Sequence, residues 1–401
     1  MKKMLALLLA LTMLPAAAIA DGTVIPDVTI KQFEIPDNEA MAFAQKIKTG
    51  WVLGNTFDAY DNGWMRSDPL AAETYWVNVK TTEALIDTVN KAGFNAIRIP
   101  VSWHDHVDEN FTVNEVWMNR VKEVASWALD RGMYVIINVH HDNARNMAEF
   151  GSKKKLDACF YPDSEHYEQS VKYLTAIWSQ MAEAFRDCDE HLILESMNEP
   201  RLTGTNYEWS WNKSSKECLD AMDCINRLNQ LFVDTVRATG GNNATRYLMV
   251  PSYDANPEYA CNEYFKFPAD TGEVSHIILE AHAYTPYNFA LNTAGTDQFS
   301  IGNSKDKSEI GMFMNNLYNN YIAKGIPVFI DEYGAVNKNN PQQRVDFAAY
   351  YIASARARGI GCFWWDNGAF SGNGENFGLI ERKTSVWMFK DVVDAITKYC
   401  E

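Results

Sequence analysis

Positive charge is scarce in this chain. It has 36 Lys and Arg residues against 52 Asp and Glu residues, so its formal net charge is -16. Proteins that bind nucleic acid usually carry a basic surface, and this balance argues against a nucleic-acid partner. Long apolar runs are also missing after residue 20, because charged or turn residues interrupt them before the roughly 20 residues that a membrane-spanning helix needs. We therefore expect a soluble mature protein.

Cysteine is sparse as well, and its spacing is irregular. The seven cysteines are Cys159, Cys188, Cys218, Cys224, Cys261, Cys362 and Cys400. An odd number leaves at least one thiol unpaired, and the spacings match neither a zinc ribbon nor a C-x-x-C redox site. A disulfide between Cys218 and Cys224, the one close pair, stays an open alternative. We expect neither a metal nor a cofactor.

The first twenty residues have the pattern of an export signal. Lys2 and Lys3 precede an apolar run over residues 4–14, and small residues lead to Ala20. This is typical of a signal peptide that is removed on secretion or export to the periplasm. Residues 21–40 are interpreted as a polar N-terminal arm. No low-complexity linker or fixed repeat interrupts residues 41–401, so a single domain is predicted there.

Eight short apolar runs alternate with helical patterns, which is typical of a parallel sheet with crossover helices. The runs cover residues 51–55, 96–101, 134–140, 192–197, 247–251, 276–282, 328–331 and 361–365. Helical patterns end at Gly93, Gly132, Gly240, Gly325 and Gly359, each shortly before the next run. Residues 254–275 show no convincing helix, and a loop or a short helix is expected there.

This alternation predicts an α/β fold, a single (β/α)8 TIM barrel with long loops at its C-terminal face. An open doubly wound sheet is the alternative. A dinucleotide-binding version of that sheet would need G-x-G-x-x-G after its first strand, where Gly54 stands alone.

Polar and aromatic residues collect at or near the carboxyl ends of the runs, where barrel enzymes build their active sites. They include Asn55, Arg98, His140, Asn198, Glu199, His282, Tyr284, Glu332 and Trp365. Glu199 follows the fourth run and Glu332 the seventh, so their carboxyl groups would face each other across the barrel mouth. Glycoside hydrolysis needs such a pair, one to protonate the leaving oxygen and one to attack the sugar or activate water. Glu195 and Asp331 lie within the runs, where a structural role is more natural.

Other chemistries use some of the same residue types. His140, His141 and Asp142 suggest a metal-dependent hydrolase, but the sequence has no H-E-x-x-H motif. A serine hydrolase would need a G-x-S-x-G turn, which is absent. A non-catalytic polysaccharide-binding protein would keep the aromatic residues of a cleft, but it would not need both Glu199 and Glu332.

Seven segments, in this order along the chain, resemble glycoside hydrolase family 5, and within it the subgroup rich in endoglucanases and xyloglucanases. They are G-W-V-L-G-N-T-F-D-A (residues 50–59), G-F-N-A-I-R-I-P-V-S-W (93–103), V-I-I-N-V-H-H (135–141), E-S-M-N-E-P (195–200), E-A-H-A-Y-T-P (280–286), I-D-E-Y-G (330–334) and C-F-W-W-D-N-G (362–368). N-E-P alone is a weak signal, whereas the ordered set is specific.

The resemblance implies roles for individual residues. Glu199 would be the acid/base and Glu332 the nucleophile of a double displacement, and the environments of the two would keep Glu199 protonated while Glu332 is ionised. Arg98 and Tyr284 would contact Glu332, and Asn198 would bind the sugar 2-hydroxyl. His140 and His282 would line the cleavage subsite. Trp365, rather than Trp364, would be the aromatic ring on which the sugar stacks. A cis peptide bond between Trp365 and Asp366 is an open alternative.

The resemblance also implies a function. The chain would be a secreted retaining endo-β-1,4-glucanase that hydrolyses cellulose, mixed-linkage glucan or xyloglucan as a monomer, with a β-glucan as its only partner. A β-mannanase or xylanase on the same fold is the alternative. Trp209 and Trp211 would serve either the leaving-side subsites or the packing of a core or lid.

Overall fold

The structure is a computed structural model, and it describes residues 22–60, 68–144, 158–272, 274–372 and 374–400. The predicted export signal lies outside the described residues. None of the helices in these ranges has the length and apolarity that crossing a bilayer requires.

The eight predicted strands are all present and close into a parallel barrel. They are β1 (Gly50–Leu53), β2 (Ala96–Ile99), β3 (Tyr134–Ile137), β4 (Leu192–Glu195), β5 (Leu248–Pro251), β6 (Ile277–His282), β7 (Val328–Tyr333) and β8 (Gly361–Asp366). Each strand pairs with its neighbours in the sequence, and β1 pairs with β8 to close the sheet. The predicted (β/α)8 barrel is confirmed.

Helices cover the outside of the barrel. They are α1 (Glu39–Lys46), α2 (Glu83–Lys91), α3 (Glu115–Leu129), α4 (Tyr167–Ala184), α5 (Lys216–Ala238), α6 (Pro257–Ala260), α7 (Tyr287–Ala290), α8 (Ser304–Asn320), α9 (Pro341–Arg356) and α10 (Lys390–Lys398). Short 3-10 turns lie at Ala71–Thr74, His104–His106, Gly241–Ala244, Tyr253–Ala255 and Ile322–Lys324. A two-stranded hairpin, β9 (Ile380–Glu381) and β10 (Val386–Trp387), precedes α10.

Alternate residues of each strand face two different cores, as the pleat of a strand requires. On β2, Ile97 and Ile99 belong to the large core between strands and helices, whereas Ala96 belongs to a smaller core inside the barrel. Phe43 of α1 joins the inner core and stacks on Tyr247 with ring centroids 3.6 Å apart. Helix α1 therefore closes the amino-terminal end of the barrel, and the open mouth lies at the other end.

The predicted helix stops are confirmed. The five glycines named above all have φ values between +66° and +106°, a backbone conformation that residues with a Cβ rarely adopt. They end helices or turns that lead into β2, β3, β5, β7 and β8. Residues 254–275 contain only the end of one 3-10 turn and the four-residue helix α6 within their described part, as expected.

One prediction about local structure needs correction, and one open alternative is not realised. In the sequence, apolar residues at helical spacing predict a last helix that contains Val386, Phe389, Val393 and Ile396. Val386 instead lies in the β9–β10 hairpin, and α10 begins only at Lys390. No disulfide joins Cys218 and Cys224. Both lie on α5, where a separation of six residues gives a rise of about 9 Å along the axis and places the side chains on different faces, beyond the reach of a disulfide.

Candidate active site

A layer of polar side chains lies above the apolar residues inside the barrel. Alternation along β2 places Arg98 beyond Ala96 on the inner face, and the same alternation on β4 places Glu195 beyond Ile193. Both polar side chains are fully buried. Since a buried charge needs a partner, this layer forms one connected network at the carboxyl ends of the strands.

Arg98 is the centre of this network. Its guanidinium donates to both carboxylate oxygens of Glu195 at 2.8 and 2.6 Å, and to Oε1 of Glu332 at 2.6 Å. It also lies 2.9 Å from Asp331 and donates to Oδ1 of Asn198 at 2.8 Å. The bond to Asn198 fixes its amide, because the oxygen accepts from Arg98 and the NH2 group is left to donate elsewhere.

Glu332 reaches the interior through an irregularity in the sheet. The pairing of β7 with β8 shifts register between Ile330 and Tyr333, so the consecutive residues Asp331 and Glu332 both approach Arg98. Tyr284 donates to the second oxygen of Glu332 at 3.0 Å. Both oxygens of this carboxylate are therefore held, and its side chain is 7% exposed.

Glu199 lies on the opposite side of the mouth and has its own partners. Nδ1 of His282 is 2.7 Å from its Oε1, and Nη1 of Arg201 is 3.3 Å from its Oε2. His282 bridges the two glutamates, because the same Nδ1 lies 3.7 Å from Oε2 of Glu332. An oxygen of Glu199 and an oxygen of Glu332 lie within 4.8 Å of each other.

Glu199, His282 and Glu332 together are close enough to hold a metal ion, and so are Asp58, His140 and His141. However, all four carboxylate oxygens of Glu199 and Glu332 already accept hydrogen bonds from protein groups. Arg98 and His282 also supply positive charge beside them. We therefore assign no metal ion to Glu199 and Glu332.

The pKa values of Glu199 and Glu332 fall in the opposite order to the expected one, in which Glu199 has the higher value. Burial raises the pKa of Glu199, but the hydrogen bond from His282 and the charges of His282 and Arg201 outweigh burial and lower it to about 2. Burial raises the pKa of Glu332 above 4.5, and the charges on His282 and Arg98 only partly oppose this. Without substrate, the pKa values of the two glutamates therefore fall in the reverse of the expected order, and the roles of both residues stay predictions.

The proton that Glu199 lacks is on the imidazole of His282. Burial lowers the pKa of His282, but the charges of Glu332 and Asp331 and the hydrogen bond to Glu199 hold it well above 6.5. His282 and Glu199 thus form an ion pair that shares one proton over 2.7 Å. Burial instead holds the pKa of His140 well below 6.5, so this second histidine is neutral.

Trp365 and His140 form one wall of the mouth. Their rings are parallel, with an interplanar angle of 6° and centroids 5.9 Å apart. Gly54 allows the indole to approach, because a Cβ there would lie 2.7 Å from the Trp365 ring. Trp364 points away and donates from its indole to the carbonyl of Phe377.

The bond between Trp365 and Asp366 is not cis, which corrects the option considered above. Among the described residues the only cis bond is Thr285–Pro286. Strand β8 instead continues through Asp366, which pairs with Leu53 of β1. A cis bond before a residue other than proline costs about 3 kcal/mol, and a regular parallel ladder does not require it.

Asn55 borders the Trp365 wall rather than the glutamate pair. It follows Gly54 with φ +58°, and its backbone N–H donates to the buried carboxyl of Asp58 at 2.9 Å. Arg98, His140, Asn198, His282 and Tyr284 all contact the network directly. The structure therefore gathers the predicted site residues at one mouth, with Asn55 at its edge.

Sequence reasoning missed several residues of this site. Asn138 donates to Glu195 at 2.7 Å and contacts Nδ1 of His140 at 3.1 Å. Glu280 lies fully buried beside His282. Asp254 follows β5 with φ +57°, and burial together with the charge of Glu199 holds its pKa well above 3.8. Asp254 shortly follows an apolar run, and that position could have indicated it. Asn138 and Glu280 lie within their runs and carry no such signal.

Trp209 and Trp211 have different surroundings. Trp209 is 62% exposed, and its ring lies 3.9 Å from the guanidinium carbon of Arg201, the residue that also contacts Glu199. Trp211 is partly buried and donates from its indole to the carbonyl of Cys218 at 2.7 Å. Trp211 therefore packs the loop onto the barrel, while Trp209 faces the solvent near the mouth.

Comparison with known proteins identifies the family. Residues 59–371 match the family described as Cellulase (glycosyl hydrolase family 5). The chain belongs to glycosyl hydrolase family 5. The resemblance seen in the seven sequence segments is thereby confirmed, and the chain is a glycoside hydrolase.

Individual relatives and solved structures are similar over most of this chain. Endoglucanase A of Clostridium longisporum is 38% identical over 90% of the chain, which spans 65% of that relative. A mutant family 5 lichenase from a Caldicellulosiruptor species, solved with cellotetraose, is 48% identical, with a TM-score of 0.90 and coverage of 95% of this chain and 100% of that one. A broad-specificity endoglucanase from Ruminococcus champanellensis with bound cellotriose is 41% identical, with a TM-score of 0.81 and coverage of 91% and 100%.

Proposed function

We propose that this chain is a retaining endo-β-1,4-glucanase, with Glu332 as nucleophile and Glu199 as acid/base. The observation that carries the proposal is the pair of carboxylate oxygens within 4.8 Å of each other. Retaining glycosidases hold their two carboxyl groups about 5–5.5 Å apart, whereas inverting enzymes leave about 6.5–9.5 Å for a water molecule. The separation found here supports the retaining arrangement.

The first step forms a bond between the sugar and Glu332. Oε2 of Glu332 attacks the anomeric carbon while Glu199 gives a proton to the leaving oxygen, so the glycosidic bond breaks and a glycosyl ester forms. Glu332 is suited to this role because Arg98 and Tyr284 fix both of its oxygens. For Glu199 to act as the acid, the proton on Nδ1 of His282 must first move to it.

The second step returns the enzyme to its starting state. Glu199, now ionised, takes a proton from a water molecule, and that water attacks the anomeric carbon and releases Glu332. Two inversions at the same carbon retain its configuration. Asn198 donates to the sugar 2-hydroxyl through the NH2 group that Arg98 leaves free. The parallel Trp365 and His140 rings offer an apolar wall to the sugar face.

The substrate proposed is an internal β-1,4 linkage of a glucan. The lichenase and the R. champanellensis endoglucanase described above were solved with cellotetraose and cellotriose, which supports a glucan over a mannan or xylan.

We further propose that residues 1–20 direct export, that residues 21–40 are an arm, and that the domain over residues 41–401 acts as a monomer.

The test begins with a panel of polymers. Reducing ends are measured on soluble cellulose, mixed-linkage glucan, xyloglucan, xylan and mannan, with and without a chelator, for the unsubstituted protein and for Glu199→Gln and Glu332→Gln. Glu263→Gln, a change of an exposed glutamate, is the control. We expect chelator-resistant activity on a glucan that both site changes abolish. Activity only on mannan or xylan would change the substrate, and silence on every polymer would favour a binding protein.

Two further readouts test the mechanism. Proton NMR of the first product should show the β-anomer before mutarotation, and an initial α-anomer would contradict retention. Azide should restore activity to Glu199→Ala as a β-glycosyl azide, because the small anion replaces the water that Glu199 activates. An α-glycosyl azide from that variant would mean that the two glutamates have exchanged roles.

A further inference from the structure

A second group of rings continues the wall that Trp365 and His140 form. The ring of His140 lies at a steep angle to that of His141, with centroids 4.4 Å apart. His141 in turn lies 5.5 Å from Tyr60 and 5.7 Å from Trp76, and the rings of Tyr60 and Trp76 are 5.2 Å apart. The mechanism above uses none of these last three residues. Tyr60, Trp76 and His141 are called the outer aromatic cluster below.

Trp76 is the exposed member of the outer aromatic cluster. Among the described residues, two tryptophans are exposed by more than a third, Trp209 at 62% and Trp76 at 38%. A single exposed apolar side chain is normal on a protein surface. Trp76, however, borders two other rings and lies beside a wall that is proposed to contact a sugar. Because the C–H face of a sugar packs on aromatic rings as apolar groups do, this surface suits a further sugar unit.

Buried polar contacts hold the segment that carries Trp76. Arg120 donates to the two carboxylate oxygens of Glu73 at 3.0 and 2.7 Å and to the carbonyl of Thr81 at 2.7 Å. The N–H of Thr81 donates to Glu73 at 2.8 Å, and Glu73 is fully buried. Glu73 and Thr81 lie on either side of Trp76 in the sequence, so its backbone is fixed before a ligand arrives. A fixed surface loses little conformational entropy on binding.

The charge state of His141 favours an uncharged ligand. Burial lowers the pKa of His141 to about 3, and the positive charge of Arg201 acts in the same direction. Its imidazole is therefore neutral at neutral pH, although its side chain remains 34% exposed. A neutral imidazole has one nitrogen that donates and one that accepts a hydrogen bond. The outer aromatic cluster thus combines apolar rings with hydrogen-bonding groups, which is the chemistry that recognises a glucosyl unit.

The strand order places the outer aromatic cluster away from the leaving side. Tyr60 and Trp76 lie between β1 and α2, and β1 is the neighbour of β8, the strand of Trp365. Trp209 lies between β4 and α5 and contacts Arg201, which contacts the proposed acid/base. In a closed barrel of eight strands, β1 lies opposite β5 and β8 lies opposite β4. Trp76 and Trp209 are therefore on opposite sides of the mouth.

We propose that the outer aromatic cluster binds a glucosyl unit of the part of the chain that becomes bonded to Glu332, farther from the cleaved bond than the sugar at Trp365. The inference rests on the proposed function, because it takes Glu332 as the nucleophile and the Glu199 side as the leaving side. Its ligand is the non-reducing portion of a β-1,4-linked glucan, stacked on Trp76. A chain held on both sides of the glutamates is cut at an internal bond.

The test uses a substrate whose sugars all lie on this side. A dinitrophenyl leaving group needs no proton and carries no sugar, so a dinitrophenyl β-cellotrioside fills only the side of Trp365. Trp76→Ala should raise KM for this substrate roughly fivefold, the effect of one aromatic contact, and leave kcat unchanged. This split marks lost binding that is equal in the ground state and the transition state. Trp76→Phe keeps a ring and should recover most of the loss.

Two outcomes would overturn the proposal. One is an unchanged KM for the cellotrioside in Trp76→Ala. The other is a higher KM on mixed-linkage glucan without any change on the cellotrioside, which would place Trp76 on the leaving side. Met312→Ala, a change of an exposed apolar residue on α8, is the control and should leave KM for both substrates in place.

A second variant and a binding measurement guard against structural damage. Trp76→Leu keeps an apolar side chain without a flat ring, so it should raise KM as Trp76→Ala does if Trp76→Ala fails to fold. In the Glu332→Gln background, calorimetry with cellopentaose should show a Kd about fivefold higher when Trp76→Ala is added. An equal Kd in the two proteins would contradict the proposal.

Failure of this inference can be told apart from failure of the proposed function. If the unsubstituted protein releases no dinitrophenol from the cellotrioside and cuts no glucan, the proposed function is wrong. If it cleaves both and Trp76→Ala keeps the original KM, only the role of the outer aromatic cluster is wrong.

Discussion

Nδ1 of His282 lies 2.7 Å from Oε1 of Glu199, and the proton between them is the one that the leaving oxygen must receive. His282→Gln keeps a hydrogen-bond donor at this position but removes the group that stores the proton. We expect kcat/KM on glucan to fall at least about 100-fold, the lower end of what a positioned acid contributes. On a dinitrophenyl β-cellobioside the loss should be much smaller. Equal losses on both substrates would show that His282 acts on binding or on Glu332.

The acid limb of the pH profile should report Glu332. Because its pKa is raised above 4.5, activity should be lost as the pH falls through that raised value and the nucleophile becomes protonated. Tyr284 donates to Oε2 of Glu332 at 3.0 Å, and this bond favours the charged form. Tyr284→Phe should therefore raise the pKa further and move the acid limb up by about one unit, since a hydrogen bond to a charged group contributes about 1.5–3 kcal/mol.

The dinitrophenyl substrate isolates this limb, since its cleavage depends on the charge of Glu332 and not on the proton of Glu199. An acid limb that stays in place in Tyr284→Phe would mean that Arg98 alone sets the protonation of Glu332. Thermal unfolding of the variant provides the control for structural loss.

The Trp209 ring lies near the proposed acid/base Glu199, because it packs at 3.9 Å against Arg201, which contacts Glu199. An exposed indole at this place should stack on a sugar of the leaving group. Trp209→Ala should raise KM for mixed-linkage glucan roughly fivefold, equivalent to about 1 kcal/mol of aromatic contact, and leave KM for the dinitrophenyl cellobioside unchanged. Met312→Ala, a change of an exposed apolar residue on α8, is the control. An increase in KM for both substrates would mean that Trp209 acts through Glu199.

The fold could be predicted from the sequence because its periodic signals are strong and local. Strand β7 and helix α8 are examples, since an apolar run follows a helical pattern and Gly325 separates the two with φ +80°. The hairpin before α10 could not be predicted, because Val386 fits the helical spacing of the residues that follow it. Its 52% exposure shows that the spacing was coincidental.

The site was predictable where a residue follows an apolar run and hidden where it lies inside one. Glu199 and Glu332 could be found by position, but Glu280 precedes the end of β6 and was taken as part of a strand. The protonation of Glu199 could not be foreseen either. It depends on the orientation of His282, and neither strand period nor motif spacing encodes a contact between the end of β6 and the segment that follows β4.

Gly54 leaves the space that the Trp365 ring occupies. Substitution of Gly54 therefore moves this ring without changing either glutamate. An added Cβ in Gly54→Ala would lie 2.7 Å from the indole, so the ring must move. We expect a loss of about 1–3 kcal/mol of unfolding free energy, as for other overpacked sites, together with a raised KM on glucan. Gly311→Ala on α8 has nothing within 4 Å of the new Cβ and should gain about 0.5–1 kcal/mol. Urea unfolding and KM measure both, and an unchanged KM in Gly54→Ala would mean that the sugar does not stack on Trp365.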